Sequence, residues 1–112
     1  MNTDPKAQHG ALKPNLFLLP LVAMYEWAKA HMLGARKYGA FNWRKNDVCA
    51  STYISAAMRH LAQWKEGEDI DEEAQASHLG MVMANCAILL DAQKHGKLVD
   101  DRPRVHAESP IK

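Results

Sequence analysis

The chain has 112 residues, of which 47% are hydrophobic, and this length fits one domain with a modest core. Its 14 basic and 13 acidic residues leave a net charge of +1, which excludes the strong basic excess typical of proteins that bind a nucleic-acid polymer. The two cysteines, Cys49 and Cys86, form no CxxC pair, so we expect reduced thiols in a cytoplasmic protein. The longest apolar run, 79–90, is too short to cross a bilayer, so we expect no membrane partner.

The N-terminal segment 1–14 is polar and carries Pro5, Gly10 and Pro14, which predicts a flexible arm. The first long helix is predicted from Pro20 to about Leu33, because proline suits a first helical turn and Gly34 favours an end there. Its helical spacing predicts a buried stripe of Leu21, Met24, Trp27, Ala28 and His31.

A second helix is predicted after a cap at Asn46 or Asp47, and Gly67 ends it. Its predicted apolar face consists of Ala50, Tyr53, Ile54, Ala57, Met58, Leu61 and Trp64.

A third helix is predicted from a cap at Asp71, with Glu72 and Glu73 in its first turn, to about His95. Gly96 supplies its C-cap. Between 79 and 90 this helix is apolar on every side except at Asn85, which indicates enclosure by other helices and by a second subunit. Residues 97–112 are predicted to be a loose tail. No segment is typical of a strand, so we expect an all-α fold, an oligomeric helical bundle built from residues 15–96.

The acidic segment 66–73 holds six of the 13 acids within eight residues, between the second and third helices. Its carboxylates, Glu68 and Asp71 among them, are oxygen ligands of the kind that Mg²⁺ prefers. The alternative is a solvated turn with acids placed at a helix N-terminus.

Two histidines flank this acidic segment. His60 shares a helix face with Tyr53 and Trp64, and His78 shares one with Asn85, so both imidazoles are predicted to point inward. They are candidates for metal ligands or phosphate contacts. The alternative is that His60, His78 and Asn85 are core polar groups that bond across the bundle and set its register.

The segment 34–44 combines three cations, three aromatic residues and two glycines. Lys37 and Arg44 can contact phosphate oxygens, while Asn42 can read the edge of a base. Tyr38, Phe41 or Trp43 can stack on that base. The alternative is a packed loop whose aromatic rings close the end of the bundle. The segment does not match GxxxxGK[ST], so a Walker-type phosphate loop is excluded.

An ordered series of segments carries a resemblance to a known family: 13–20 (KPNLFLLP), 34–39 (GARKYG), 42–44 (NWR), 59–61 (RHL) with Trp64, 67–71 (GEDID), and 78–79 (HL) with Asn85. Over about residues 13–91 the chain resembles the phage-encoded dATP/dGTP diphosphohydrolases, the MazZ-type relatives of MazG. The resemblance implies a MazG-like all-α homodimer or homotetramer in the cytoplasm of an infected bacterial host. It also implies Mg²⁺-dependent cleavage of a (deoxy)purine nucleoside triphosphate to the monophosphate and pyrophosphate.

Carried over to this chain, the resemblance implies that Glu68 and Asp71 are cation-facing acids, with His60 and His78 as ligands or phosphate contacts. Further residues are implied in binding the nucleotide: Lys37, Arg44 and Arg59 at the phosphates, Asn42 and Trp43 at the base, and Tyr38 and Asn85 beside them.

The chain departs from the wider MazG-like pattern, which has ExxE on one helix and ExxD on the next. Ala57 and His60 stand at the first pair, and His78 and Met81 near the second. This departure motivates an alternative, a non-catalytic nucleotide-binding phage protein that sequesters a cyclic or modified nucleotide signal of host defence. A helical bundle that binds a partner and no small ligand is a third hypothesis.

Overall fold

The structure, a computed structural model, describes residues 4–104, and helices dominate that range, so the all-α prediction is confirmed. The helices are α1 (Pro5–Gly10), α2 (Leu21–Tyr38), α3 (Asn42–Lys45), α4 (Ala50–Lys65) and α5 (His78–Lys94), with a 3-10 turn at Leu16–Leu18. Four two-residue strands accompany them: β1 (Val48–Cys49), β2 (Ile70–Asp71), β3 (Ala76–Ser77) and β4 (Leu98–Val99). Among the described residues, no helix has the length and apolar character needed to cross a membrane.

Helix α2 is longer than predicted. It passes through Gly34, where we expected an end, and stops at Gly39, whose φ of 90° lies in the region that favours glycine. A single glycine inside a helix costs only about 1 kcal/mol. The good helix formers that follow Gly34 offset that cost, so the prediction of an end there was wrong.

Helix α4 begins at Ala50, later than the predicted caps at Asn46 and Asp47. The chain before it forms β1, which pairs in parallel with β4. The first turn of α4 receives its cap from a distant carboxylate, because the backbone N–H of Ser51 donates to Oδ1 of Asp101 at 2.9 Å. Hydrogen bonds from Ser51 and Cys49 hold the pKa of Asp101 below its usual value.

Helix α5 begins at His78 and not after Asp71, so the predicted start was wrong by about two turns. Residues 70–77 form a β-hairpin, with Ile70 paired to Ser77. The Oδ1 of Asp71 accepts hydrogen bonds from the backbone N–H groups of Glu73 and Ala74, as a helix cap would. These N–H groups belong to the turn of the hairpin and not to a helix. The predicted end of α5 is confirmed, since the helix stops at Lys94 and Gly96 has a φ of 72°.

The core is built where α5 packs against α4 on one side and α2 on the other. Small side chains dominate the buried positions, which lets the helix axes approach closely. At Gly80 the approach is closest, because a Cβ built there would lie 2.5 Å from the carbonyl oxygen of Glu26 on α2. The buried residues of the described range are Ala30, Val48, Ala50, Ala76, His78, Gly80, Ala84 and Ala92.

Much of the predicted apolar surface is not buried within one chain. On α2 the predicted stripe is only partly inward, since Trp27 and His31 are half-buried while Leu21, Met24 and Ala28 are exposed. On α4, Tyr53, Ile54 and Ala57 are half-buried, but a second part of its predicted face is exposed: Met58, Leu61 and Trp64. Three long helices cannot cover all of their apolar faces with one another, so these predictions were wrong for the chain alone.

The terminal segments are more structured than the sequence predicts. Within the predicted arm 1–14, residues Pro5–Gly10 form α1, which Asp4 caps through the backbone N–H of Lys6. Within the predicted tail 97–112, β4 pairs with β1, and Asp100 accepts hydrogen bonds from Arg102 and Arg104. The parts of these predictions that fall on residues 1–3 and 105–112 lie outside the described residues.

Candidate functional site

Four side chains from three segments meet between α4, α5 and the hairpin, and we call them the histidine–carboxylate cluster: His60, His78, Glu68 and Asp71. The Nδ1 atoms of His60 and His78 lie 2.9 Å apart, and Nε2 of His78 lies 2.6 Å from Oε1 of Glu68. Oδ2 of Asp71 lies 3.9 Å from Nδ1 of His60. The structure thus brings together the two histidines that flank the acidic turn and two acids that lie within it.

The backbone positions each member of the cluster. His78 is the first residue of α5, and its N–H donates to the carbonyl oxygen of Asp69 across the hairpin. The positive φ of Gly67, 101°, ends α4 and turns the chain back so that Glu68 reaches the imidazole of His78. The two N–H groups that bind Oδ1 of Asp71 fix its carboxylate and leave Oδ2 facing His60.

With both imidazoles neutral, one assignment of tautomers fits the hydrogen bonds of the cluster. An ionised carboxylate only accepts, so Nε2–H of His78 donates to Glu68. Nδ1 of the neutral His78 ring is then an acceptor, and it receives the Nδ1–H of His60. His78 is completely buried, so this chain of bonds satisfies a polar group that would otherwise be costly in the core.

The environment of His60 favours its neutral form. Burial is the largest cause that lowers its pKa, followed by the neighbouring ring of His78 and by Arg59, while Asp71 acts in the opposite direction. Arg59 is the next residue on α4 and donates to the hydroxyl of Ser55 at 2.9 Å. A predicted phosphate contact therefore lies close enough to the cluster to affect its electrostatics.

A cavity of about 630 Å³ is lined by residues of α2, α4 and α5 and by the whole segment 37–43. Its size falls within the usual range for small-molecule sites. Five of the predicted nucleotide contacts line it: Lys37, Tyr38, Asn42, Trp43 and Asn85.

Aromatic rings form much of the wall of this cavity. The rings of Phe41 and Trp43 meet edge to face at 5.5 Å, and Phe41 adopts a left-handed backbone conformation with φ 59° to reach that position. The ring of His31 lies 6.1 Å from Trp43, and its Nε2 accepts a hydrogen bond from Nε1 of Trp27 at 2.8 Å. The walls can therefore stack on a planar, apolar-faced group such as a base.

Two of the predicted contacts already have partners. The guanidinium of Arg44 makes two hydrogen bonds to Asp91, at 2.5 and 2.7 Å, and lies 5.4 Å from the ring of Trp43. The amide of Asn85 donates to the carbonyl of Met81 within its own helix at 2.9 Å. The Oδ1 of Asn85 and the outer face of Trp43 are the groups that these contacts leave for a ligand.

The cluster and the cavity share α4 and α5, although none of the four cluster residues lines the cavity. Met81 and Asn85 line the cavity. On the same helix, His78 lies one turn before Met81 and two turns before Asn85. Tyr53 lines the cavity from α4, two turns before His60. Seven helical residues rise about 10 Å, so one extended ligand can span both regions.

The donor set of the cluster decides which cation it fits. Mg²⁺ binds oxygen and usually keeps several waters, held by one or two carboxylates plus substrate phosphates. Two of the donors here are imidazole nitrogens, so the cluster does not form a cage of protein oxygens for Mg²⁺. Oε2 of Glu68 takes no part in the hydrogen bond to His78, and Oδ2 of Asp71 faces His60.

Several residues of the cavity were not predicted as functional from the sequence. His31 and Trp27 were assigned to a buried stripe, and their spacing of four residues was the signal that their side chains meet. Asp91 was missed because its partner, Arg44, is 47 residues away in sequence. Burial, and secondarily the charge of Tyr38, raises the pKa of Tyr53, which was assigned only to the apolar face of its helix.

Comparison with known families yields a match over most of the chain. The family model described as "dATP/dGTP diphosphohydrolase, N-terminal" matches residues 3–102, which is nearly the whole chain. No curated protein and no solved structure matches the chain.

Proposed function

The chain belongs to the dATP/dGTP diphosphohydrolase N-terminal family, and from that premise we propose that it hydrolyses a deoxypurine nucleoside triphosphate to the monophosphate and pyrophosphate. The observation that carries the proposal is the convergence of His60, His78, Glu68 and Asp71 beside α4 and α5, the helices that also line an aromatic cavity. The base would occupy the cavity, and the triphosphate would extend toward the cluster.

Each group has a role in this proposal that follows from its chemistry. Water attacks the α-phosphorus and releases a proton to solvent, the bond from this phosphorus to the oxygen that bridges the α- and β-phosphates breaks, and pyrophosphate leaves with the negative charge on that oxygen. Arg59, next to His60 on α4, is the cation that would stabilise this charge. Lys37 and Arg44 lie beside Trp43, so they would meet the nucleotide at the end that holds the base. The Mg²⁺ carried by the substrate would face Oε2 of Glu68 in the acidic turn.

The base contacts of the proposal come from the segment 37–43, which lines the cavity. Trp43 and Tyr38 supply rings for stacking, and the amide of Asn42 supplies both a donor and an acceptor for a base edge. Oδ1 of Asn85 is a further acceptor, since its Nδ2 is held by the backbone of Met81.

Product analysis tests the proposal directly. The purified chain is incubated with Mg²⁺ and, separately, dGTP, dATP, dCTP and dTTP, and products are separated by anion exchange. We expect equal amounts of monophosphate and pyrophosphate from a purine substrate. His60→Gln should abolish this release, whereas Glu72→Gln, which removes a charge from the same turn outside the cluster, should leave it unchanged. Absence of product from all four nucleotides would refute the proposal.

A second function is favoured by one specific observation. Helix α4 carries no carboxylate, and the first acid of α5, Asp91, is paired with Arg44. On this alternative the chain would bind a cyclic or modified nucleotide and hold it without turnover. Ligand recovered intact after denaturation, at one per site, supports the alternative, and recovery of a cleaved ligand supports the hydrolase.

We propose that the working form is a homo-oligomer. The Cα radius of gyration is 17.8 Å, against about 13 Å for a compact domain of this length. On α2, four exposed apolar residues at spacings of 4, 3 and 4 form one stripe that is open in the single chain: Leu21, Tyr25, Ala28 and Met32. This spacing is typical of a helix that packs on another helix.

Light scattering after size exclusion tests this assembly. We expect a dimer or tetramer, which Tyr25→Glu shifts toward the monomer because it places a charge in the stripe. Met58→Glu is the matched control, an exposed apolar position on α4. A monomeric wild-type chain contradicts the proposal, and disruption by Met58→Glu alone would move the interface away from α2.

A further inference from the structure

We propose that His60, His78 and Asp71 bind a first-row transition-metal dication, with Glu68 as the carboxylate that orients His78. The ligand atoms are Nδ1 of each histidine and Oδ2 of the aspartate. One ligand atom from each of these three residues lies within 4.8 Å of the others. The inference concerns a resident ion and does not rest on the proposed hydrolysis.

The separation of the two nitrogens matches a shared ion. Metal–imidazole distances are about 2.0–2.1 Å, so two nitrogens at adjacent octahedral positions lie about 3.0 Å apart, and at tetrahedral positions about 3.4 Å apart. The observed separation of the Nδ1 atoms is 2.9 Å. The metal would replace the proton that they share, with a displacement of a few tenths of an ångström or less.

The hydrogen bond from His78 to Glu68 prepares the ring as a ligand. Because Nε2 carries the proton that Glu68 accepts, the lone pair of His78 is on Nδ1, the atom that faces the site. A carboxylate that binds the outer N–H of a histidine fixes the tautomer of a metal ligand and raises its basicity. His78 is completely buried, so its ring cannot turn away into solvent.

The carboxylate of Asp71 is held in a similar way. Backbone N–H groups occupy Oδ1, and Oδ2 lies 3.9 Å from Nδ1 of His60. A move of about 1 Å would bring this oxygen to the distance from Nδ1 of His60 that is expected when both bind one ion. Two imidazoles with one carboxylate suit Mn²⁺, Fe²⁺, Co²⁺, Ni²⁺ or Zn²⁺, and Mg²⁺ prefers a set of oxygens.

Direct metal binding tests the inference without any substrate. The full chain, treated with a chelator, is titrated with Co²⁺ while its visible d–d absorption is recorded, and with Zn²⁺ in a calorimeter. We expect one ion per chain, and a large excess of Mg²⁺ should not displace it. No stoichiometric uptake, or displacement by Mg²⁺ at comparable concentration, would overturn the proposal.

Variants separate this site from the other histidines of the chain. His60→Gln should abolish stoichiometric binding, and Glu68→Gln should weaken it by about 10- to 100-fold, the usual effect of losing the carboxylate behind a ligand histidine. Glu72→Gln, the charge-matched control in the same turn, should bind as the wild type does. Unchanged binding by His60→Gln would overturn the proposal, because the ion would then be held elsewhere.

The variants are chosen so that the test does not depend on the buried histidine. Replacing His78 would leave a hole in the core, whereas His60 and Glu68 are 15% and 47% exposed at their side chains. Thermal unfolding without metal shows whether each variant is folded, and with metal it gives a second readout, since an ion that binds the native state alone raises the melting temperature. Metal uptake without nucleotide turnover supports this inference while refuting the hydrolase, so the two can fail separately.

Discussion

The contact between α2 and α5 at Gly80 makes a sharp prediction about stability. An alanine Cβ at this position would lie 2.5 Å from the carbonyl oxygen of Glu26 and 3.0 Å from its carbonyl carbon. Carbon and oxygen atoms in close contact lie about 3.3–3.6 Å apart. Gly80→Ala therefore requires the two helix backbones to separate locally by nearly 1 Å, and the obstacle is backbone, which cannot rotate away.

The magnitude follows from two opposing effects. Overpacking a tight interior costs typically about 1–3 kcal/mol. Replacing glycine by alanine inside a helix returns up to about 1 kcal/mol, and less in the first turn, where Gly80 lies. We expect a net loss of about 1–2 kcal/mol, which for a domain of this size lowers the melting temperature by roughly 4–16 °C.

The chain offers a matched control for this substitution. Gly34 lies inside α2, and a Cβ built there meets nothing within 4 Å. Gly34→Ala should therefore stabilise the protein by about 0.5–1 kcal/mol through helix propensity alone. Denaturant unfolding at a fixed protein concentration measures both variants. If Gly80→Ala were as stable as the wild type, the close approach of α2 and α5 would be refuted.

Three further predictions concern single positions. His31 should titrate below about 6.5, because burial disfavours its charged form, and Trp27→Phe should raise that value by removing a donor to Nε2. Because the pKa of His31 is lower in the folded state, folding is not penalised by this ring above pH 6.5, and the free energy of unfolding falls as the pH drops from 6.5 toward the folded-state pKa. An NMR titration that places the pKa of His31 at or above 6.5 would contradict this. Gly96→Ala should lower the free energy of unfolding by about 1 kcal/mol because φ at this position is 72°, and Gly96→Asn should lower it less. Denaturant unfolding measures both variants. If Gly96→Ala were as stable as the wild type, the left-handed cap would be contradicted. Trp43→Ala should weaken nucleotide binding by about 5- to 150-fold, the effect of losing a ring that stacks on a base, and calorimetry that shows no change would exclude this contact.

The sequence predicted best those features that depend on local chemistry. Glycines with positive φ ended α4 and α5 near the predicted positions, at Gly67 and Gly96. The inward orientation of His60 and His78 followed from helical spacing, because each lies on the same face as apolar residues of its own helix. The positive φ of Gly67, a residue that the sequence marked as a helix end, then turns the chain so that Glu68 lies beside His78.

Features that depend on distant partners could not be predicted from the sequence. The caps expected at Asn46 and Asp47 were replaced by Asp101, which reaches the start of α4 only because β1 and β4 pair. An aspartate binds backbone N–H groups in the same way at the start of a helix and in a turn. The presence of Asp71 at this point in the sequence therefore could not distinguish a helix from the hairpin. Leu21 and other residues predicted to be buried are exposed because, within residues 4–104, one chain places only α2 and α4 as long helices against α5. The sequence alone does not show which apolar faces remain uncovered.

The packing of the cluster also explains how the metal site that we propose there can work with few carboxylates. In a site built only of carboxylates, several negative charges must be held close together, and each repels the next. Here Glu68 binds the outer nitrogen of His78, so its charge supports a neutral imidazole instead of facing the ion directly, and Asp71 contributes one free oxygen. The cluster can therefore attract a dication with two carboxylates and two neutral nitrogens. That arrangement accounts for how α4 can lack acids entirely while the hairpin, which is tied to the start of α5, supplies the negative charge of the site.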